Sequence, residues 1–491
     1  LIVDVLRADN STIRNPTQSR TPLTRGRVGV SAFNSPAAAL CCRPRDSAIM
    51  MPQLLTDAAD RPDSDESRLS SFCRAFLDMS AALPVEFVPA TQSELARFMA
   101  ENAAGPRQSI CPVGGRTALH YGAAGEAHVQ ASLAELTRVV DYPARDMTIT
   151  VEAGIRIDDL QAKLASEGQR LPIDIAQPGR ATLGGALATN TSGPRRFGHG
   201  TFRDFVIGIS AVDASGQLFK AGGRVVKNVA GYDLCKLLVG SRGTLAIVTQ
   251  VTLKLRPRAE TSALLWCQFS KLDLIEQALQ RLLQSAARLV AIEVLNLPAA
   301  KLISTAARCP TAPRASVLCL GVEGATHEVD WQIDTLNREL KECGVDSTER
   351  ISQPDADRMW EALTEFQTAA DDPLTFQANL LPSHCVEFAR RATELGVAVQ
   401  MHAGNGIVVG QLPDEAATIE QTSMILGELR RLAHGARGNV VVLRCDPEWK
   451  SRMPMCCDPE PGWGLMRRLK TQLDPLNLLN PNRFIDAATI S

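Results

Sequence analysis

The chain has 491 residues, with 52 basic and 54 acidic side chains, a formal net charge of −2 and a pI near 6.5. That length predicts two or three domains, and the balanced charge gives no electrostatic reason to expect a nucleic-acid partner. Hydrophobic residues at 45% and charged residues at 22% are the proportions of a soluble globular protein, and no apolar run approaches the roughly 18 residues that span a bilayer.

Residues 1–66 read as a disordered N-terminal extension. The first 50 hold seven Arg and no periodic apolar pattern. They lack the apolar core of a secretory signal and resemble a transit peptide in being Arg-rich and acid-poor. Met50 or Met51 reads as the functional start, with order expected from near Ser67. "TQSELARFMAENAA" then opens a helix, with Thr91 and Glu94 at capping-box spacing and Leu95, Phe98 and Met99 on one face. "SICPV" reads as a strand, "MTITVEAG" as a strand, and "RIDDLQAKLASEG" as a helix stopped by Gly168. "DFVIGISAVDASGQLFKAGG" predicts a hairpin turning at Ala214-Ser215-Gly216. "TLAIVTQVTLKLRP" alternates Val251, Leu253 and Leu255 with Thr252, Lys254 and Arg256, a half-buried strand ended by Pro257. Residues 84–258 thus read as one α+β domain.

From "SALLWCQF" onward the segments read β-α-β-β-α, and from "LTFQANLL" onward β-α-β-β-α-β. Two such units predict a second domain over 259–445, an antiparallel sheet with helices on one face, followed by a C-terminal segment over 446–491. Within it, "QMHAGNGIVVG" (Gln400–Gly410) is not a nucleotide turn, because β-branched Ile407, Val408 and Val409 follow the glycines where a helix would have to begin. It predicts a hairpin with a type I′ turn at Asn405-Gly406.

Three glycine-rich segments stand out in the first domain. "CPVGGRTAL" ends a strand and frees the backbone at Gly114 and Gly115, which lets successive N–H groups converge on a phosphate. A plain Gly-Gly turn is the alternative reading. "QPGRATLGGALATNTSGPRRFGHGTFRD" offers a run of small residues along which a flat polar cofactor could lie, and "KNVAGYDLCKLLVGSRGTLAIVTQ" precedes a buried strand. None contains a Walker A loop, a G-x-S-x-G elbow or a Rossmann fingerprint. Thirteen scattered cysteines include no C-x-x-C, and adjacent Cys456-Cys457 has the wrong spacing for a metal knuckle. No metal site is expected; the thiols read as buried in a reducing cytoplasm, so electrons would need an organic cofactor.

In order and spacing these three segments resemble the FAD-binding domain of the vanillyl-alcohol oxidase superfamily, the PCMH-type flavoproteins. The third is most similar to the FAD-binding E subunits of bacterial glycolate oxidases, and "LKTQLDPLNLLNPNRF" resembles the family's tail folded back on the FAD domain. The resemblance implies an α+β fold, a PCMH-type FAD-binding domain plus a second domain with an antiparallel sheet covered by helices. It implies FAD contacts from Pro112, Val113, Gly114, Gly115, Arg116, Thr117, Ala118 and Leu119 in the pyrophosphate loop. Beside the flavin it implies Gln177, Pro178, Thr182, Leu183, Gly184, Gly185, Ala188, Thr189, Asn190, Gly193 and Gly198, and in the third segment Gly243, Ile247 and Val248. Some members tether FAD through a loop His; Arg116 stands at the comparable place, which implies non-covalent FAD.

The resemblance also implies oxidation of a small 2-hydroxy acid, glycolate above all, alongside a catalytic flavoprotein and an iron–sulfur subunit. Such chemistry needs an Arg for the carboxylate and a base for the hydroxyl proton. Related catalytic subunits carry H-x-G-D-G-N-x-H in the second domain. His402, Gly404 and Gly406 match that motif, while Asn405, Ile407 and Val409 depart from it, the last replacing a second His. His402 and His199 are the candidate bases, each also readable as an ordinary polar residue. Arg444 is the candidate carboxylate anchor or a salt-bridged strand-end Arg. Trp360 reads as cap-domain packing ahead of a pocket wall, and Glu293 as a strand carboxylate on the solvent face ahead of one facing the flavin pocket. A self-sufficient D-lactate-like dehydrogenase is the alternative function, and a scaffold that has lost its cofactor the third.

Overall fold

The computed structural model describes residues 84–123, 125, 127–223, 233–309, 312–368, 373–416, 418–456 and 462–483. The expectations for the N-terminal extension and for 224–232 of the third glycine segment lie outside the described residues. The described residues all belong to one unit, 83–491.

Three short strands, β1 (Val85–Phe87), β2 (Ile110–Val113) and β3 (Val129–Ser132), form a parallel sheet in the order β1-β3-β2. Helix Gln92–Ala104 connects the first two. The Thr91 hydroxyl accepts from the Glu94 N–H at 3.1 Å, and the Glu94 carboxylate reaches back to the N–H of Ala90 at 2.9 Å, one residue before the cap. Leu95 and Met99 are fully buried beneath it.

The next sheet has five antiparallel strands in the order β4-β5-β9-β7-β8: β4 (Val139–Asp141), β5 (Thr148–Glu152), β7 (Val206–Val212), β8 (Leu218–Gly222) and β9 (Ile247–Lys254). The hairpin turns at 214–216, as its Asp-Ala-Ser-Gly sequence predicts. β9 differs from its half-buried reading. Both faces are covered, and buried Thr252 meets the Thr150 hydroxyl at 3.0 Å, so two polar side chains satisfy each other in the interior. Pro257 does not end the run either: β10 (Arg256–Pro257) pairs with β6 (Gln169–Arg170).

The second domain is built on one antiparallel sheet of eight strands in the order β14-β11-β13-β12-β16-β17-β15-β18. These are β11 (Thr261–Phe269), β12 (Ala291–Leu295), β13 (Ser316–Gly324), β14 (Ser347–Ser352), β15 (Leu374–Asn379), β16 (Ala398–His402), β17 (Ile407–Gln411) and β18 (Asn439–Cys445). Four helices, Leu272–Leu282, Thr326–Lys341, Cys385–Glu394 and Ile419–Gly435, bury one face through residues such as Ile275, Ile333, Phe388 and Leu429.

The expectation of helices on one face only is corrected here. Helices Leu297–Ala306 and Asp355–Glu365 pack Ile303, Met359 and Trp360 onto the opposite face, against Leu264, Trp266 and Cys319. Leu297–Ala306 has apolar residues on several sides and so shows weak periodicity, but Asn296 caps it by accepting from the Ala299 N–H at 3.1 Å. β14, "STERIS", is a polar edge strand with little apolar alternation.

The 400–410 hairpin forms, but not with a type I′ turn. Ala403–Asn405 make a 3₁₀ turn, only Gly406 takes positive φ (70°), and the strands rejoin at His402↔Ile407. Gly406 is required twice, because a Cβ there would also fall 2.0 Å from the Leu380 carbonyl oxygen. After helix Trp463–Leu473 the chain returns along β2, where Ile110 donates to Leu478 O at 2.7 Å and Asn480 donates to Ile110 O at 2.9 Å. Among the described residues no helix is long and apolar enough to cross a membrane.

Candidate functional site

Two regions carry the candidate residues. The first is the loop after β2. Val113 ends the strand, and Gly114 and Gly115 lie back to back with residues 180–182. A Cβ on Gly115 would stand 1.7 Å from the Arg180 carbonyl oxygen, so only glycine lets the two segments meet. Thr182 then caps helix Leu183–Thr189, and Asn190 closes it with φ 52°. The expected residues Pro112, Val113, Gly114, Gly115, Arg116, Thr117, Ala118 and Leu119 line one cavity together with Gly185, Ala188 and Thr189. Gln177, Pro178, Gly193, Gly198, Gly243, Ile247 and Val248 do not line it.

Arg242, from the third glycine segment, and Asn480 and Arg483, from the returning tail, complete that cavity, although none was singled out as an FAD contact in the sequence. Arg242 adopts positive φ (54°) between Gly240 and Gly243. Arg483 binds the carbonyls of Leu119 and Tyr121, and Lys450 that of His120 at 2.5 Å. These cations act on His120: burial, then Lys450, Arg444 and Arg483, push its pKa down from 6.5 to about 4. Arg116 is engaged elsewhere, with Glu86 at 2.8 Å and with Gln130. The donor chemistry fits a pyrophosphate: a glycine-freed backbone beside two guanidinium groups. The enclosed Asn190 Oδ1, which has no partner among the described residues, offers an acceptor for a donor group beside it.

The second region lies on the face of the large sheet that also carries helices Leu297–Ala306 and Asp355–Glu365. The register aligns Glu293, His402, Ile407, Asn379 and Asn439 in one row across β12, β16, β17, β15 and β18. Glu293 is corrected from the solvent face to full burial, at 0% exposure. Its carboxylate accepts from His402 Nδ1 at 2.7 Å and from Gln400 Nε2 at 2.7 Å. His402 is therefore not a lone imidazole. With Nδ1 committed to a carboxylate, Nε2 is the acceptor nitrogen of the neutral ring, and it meets no hydrogen-bond partner among the described residues. Gln377 donates to Asn379 at 2.8 Å and Asn379 to Asn439 at 2.7 Å, so the row stays polar beyond Ile407.

The other sequence candidates fall elsewhere. His199 donates to Glu323 at 3.1 Å, in an ionic cluster with Arg170, Arg195 and Asp174. Burial raises the Glu323 pKa, but hydrogen bonds from His199 and Arg170 and the charges of Arg195 and Arg170 outweigh it and hold the carboxyl well below the usual range. Trp360 packs, as expected, at 3% exposure, with the Arg195 guanidinium 3.8 Å over its ring. Arg444 is level with Thr375 and Gln411, at the opposite end of the sheet from the His402 row, so it is not brought to His402.

Residues 84–222 match the FAD binding domain family and residues 456–484 the C-terminal domain of FAD-linked oxidases. The chain is similar to glycolate oxidase subunit GlcD of Bacillus subtilis (strain 168), 26% identical over 71% of this chain and 77% of that protein. It is 41% identical to glycolate oxidase subunit GlcE of Escherichia coli (strain K12) over 25% of this chain, a match that spans only 36% of that relative. The crystal structure of p-cresol methylhydroxylase with substrate bound shares the fold, with a TM-score of 0.62 at 16% identity over 82% of this chain and 89% of the other. The glycine loop with its cations, the helix-covered antiparallel sheet and these matches agree: the chain is an FAD-dependent oxidoreductase, similar over residues 84–222 to the FAD binding domain family and folded like p-cresol methylhydroxylase.

Proposed function

We propose that the chain is the FAD-binding subunit of a glycolate-oxidase-like complex that oxidises small 2-hydroxy acids. The observation that carries this reading is the buried Glu293–His402 pair on the sheet face, in a chain similar to two glycolate oxidase subunits. FAD would be held without a covalent bond by the 112–119 loop, the Leu183–Asn190 segment and the cations Arg242 and Arg483. Bound FAD supplies the acceptor for the hydride lost from the substrate carbon.

The chain's own residues supply the rest. Glu293 fixes the imidazole plane and places the proton on His402 Nδ1. His402 Nε2 takes the substrate hydroxyl proton as the C–O bond gains double-bond character, and the 2-hydroxy acid becomes a 2-oxo acid. At 0% and 6% exposure Glu293 and His402 keep bulk water away from that transfer. Electrons leave to a catalytic flavoprotein and an iron–sulfur subunit.

The same Glu293–His402 pair favours a second reading, a self-sufficient 2-hydroxy-acid dehydrogenase, because an oriented base needs no help from another chain. Steady-state turnover of the isolated chain with glycolate, D-lactate and an artificial acceptor dye separates the two. The subunit reading expects FAD to be present, slow turnover alone and co-purification with an iron–sulfur subunit. Full turnover by the isolated chain contradicts it and selects the second reading.

A further inference from the structure

We propose that Arg196 anchors the carboxylate of the 2-hydroxy acid, and that Glu293 is a positioning residue for His402. The inference rests on the 2-hydroxy-acid reading above and names its recognition group. Helix Arg196–His199 belongs to the segment expected beside the flavin, yet it is docked on the other domain. Gly198 donates to the Val290 carbonyl, at the start of β12, at 3.0 Å, and a Cβ on Gly198 would come within 2.7 Å of Val290 Cα. Phe197 lies against Gly404 in the loop that follows His402, leaving no room for a Cβ there. Arg196 thus directly precedes the two residues, Phe197 and Gly198, that dock this helix against the loop after His402 and the residue before β12.

Its hydrogen bonding is incomplete. Nη1 donates to Ser192 Oγ at 2.9 Å, while Nε is enclosed with no acceptor among the described residues. The adjacent Arg195 shows what a satisfied guanidinium looks like here, with Asp174 at 2.7 Å and Glu323 at 2.6 Å. Burial lowers the Arg196 pKa, and the charges of Glu293 and Asp204 oppose that shift, which places Glu293 within electrostatic reach. Glu293 cannot serve as the partner, since its oxygens are committed to His402 and Gln400. A half-buried guanidinium without a carboxylate, beside an imidazole with an open Nε2, matches the two functional groups of a 2-hydroxy acid. The carboxylate would sit on Arg196 and the adjacent hydroxyl on His402. The balance is simple: hydride leaves the carbon for the flavin, the hydroxyl proton goes to Nε2, and a 2-oxo acid remains.

The test uses the FAD-loaded full chain and oxalate, a carboxylate that cannot lose hydride, with perturbation of the flavin absorbance as the binding signal. Arg196→Met should weaken oxalate binding about 10- to 100-fold with FAD content unchanged, and Arg196→Lys should recover part of the loss. Glu293→Gln should leave oxalate affinity near that of the parent and slow anaerobic flavin reduction by glycolate about 10- to 100-fold. If Glu293→Gln does not fold, His402→Gln carries the same comparison. Parental oxalate affinity in Arg196→Met, loss of FAD from it, or no oxalate binding by the parent overturns the anchor. Oxalate binding that depends on Arg196, without flavin reduction by any small 2-hydroxy acid, supports the anchor and rejects the substrate reading instead.

Discussion

Glu293 and Glu323 are both buried carboxylates on strands of the large sheet, and both lie close to the segment that runs from Arg195 to His199. Glu323 accepts from Arg170, Arg195 and His199, and its charge is more than matched. Glu293 accepts from one imidazole and one amide. The first arrangement ties the two domains together, since Arg170, Arg195 and His199 come from one and Glu323 from the other. The second leaves an imidazole nitrogen and a neighbouring guanidinium with capacity to spare, and capacity to spare is what a substrate needs. Two histidines eligible as bases in the sequence are thereby separated: His199 is committed to the ionic cluster, and His402 is the one the proposed function uses as base.

The largest expected effect breaks the lock. Glu323→Gln leaves Arg170 and Arg195 without their shared carboxylate and should cost about 3–5 kcal/mol in denaturant unfolding of the FAD-loaded protein. A cost below about 1 kcal/mol would mean that solvent or Asp174 takes over the two guanidiniums. Next comes the cradle: Gly115→Ala drives a methyl group into the Arg180 carbonyl. About 1–3 kcal/mol of overpacking should appear as FAD lost on gel filtration, while Glu323-dependent stability of the apo-chain persists.

A smaller effect separates the two regions by pH. His120 has its pKa depressed from 6.5 to about 4, so the unfolded chain binds more protons than the folded one across that window. Stability should therefore fall as pH drops from 6.5 towards 4, and His120→Gln should flatten that part of the profile. Glu323 has its pKa depressed too, so its contribution is complete above the ordinary value of 4.5 and is lost only as pH falls further. An unfolding profile in which Glu323→Gln changes the slope above pH 4.5 would show that the assignment of the two steps is reversed.

Much of the fold was legible because glycine spacing and strand alternation are local. The 112–119 loop could be found from two glycines after an apolar run, and the hairpin at His402 from Asn-Gly between β-branched strands. The site was only half legible, because its decisive contacts join distant residues. Glu293 and His402 are 109 positions apart and meet only through the β12–β16 register. In "AIEVL" the alternation placed Glu293 with Ala291 and Leu295, and a lone carboxylate on such a face reads as solvated until its partner is known. Arg195 and Arg196 are adjacent and chemically identical, so nothing local says which is satisfied by Asp174 and Glu323. Arg444 looked suited to a carboxylate because it ends a strand, but the register puts it at the far end. Arg242 and Arg483 reach the cradle through a left-handed turn and a returning tail, neither of which leaves a periodic trace.

The most direct measurement is the anaerobic half-reaction. FAD-loaded parent chain and His402→Gln are mixed with glycolate or D-lactate, and bleaching of the flavin's visible band is followed. A functional Glu293–His402 pair predicts bleaching of the parent by a small 2-hydroxy acid and a rate at least about 100-fold lower in His402→Gln at equal FAD content. Equal rates in the two proteins would contradict the role given to His402. A parent flavin that no 2-hydroxy acid reduces would contradict the proposed chemistry itself.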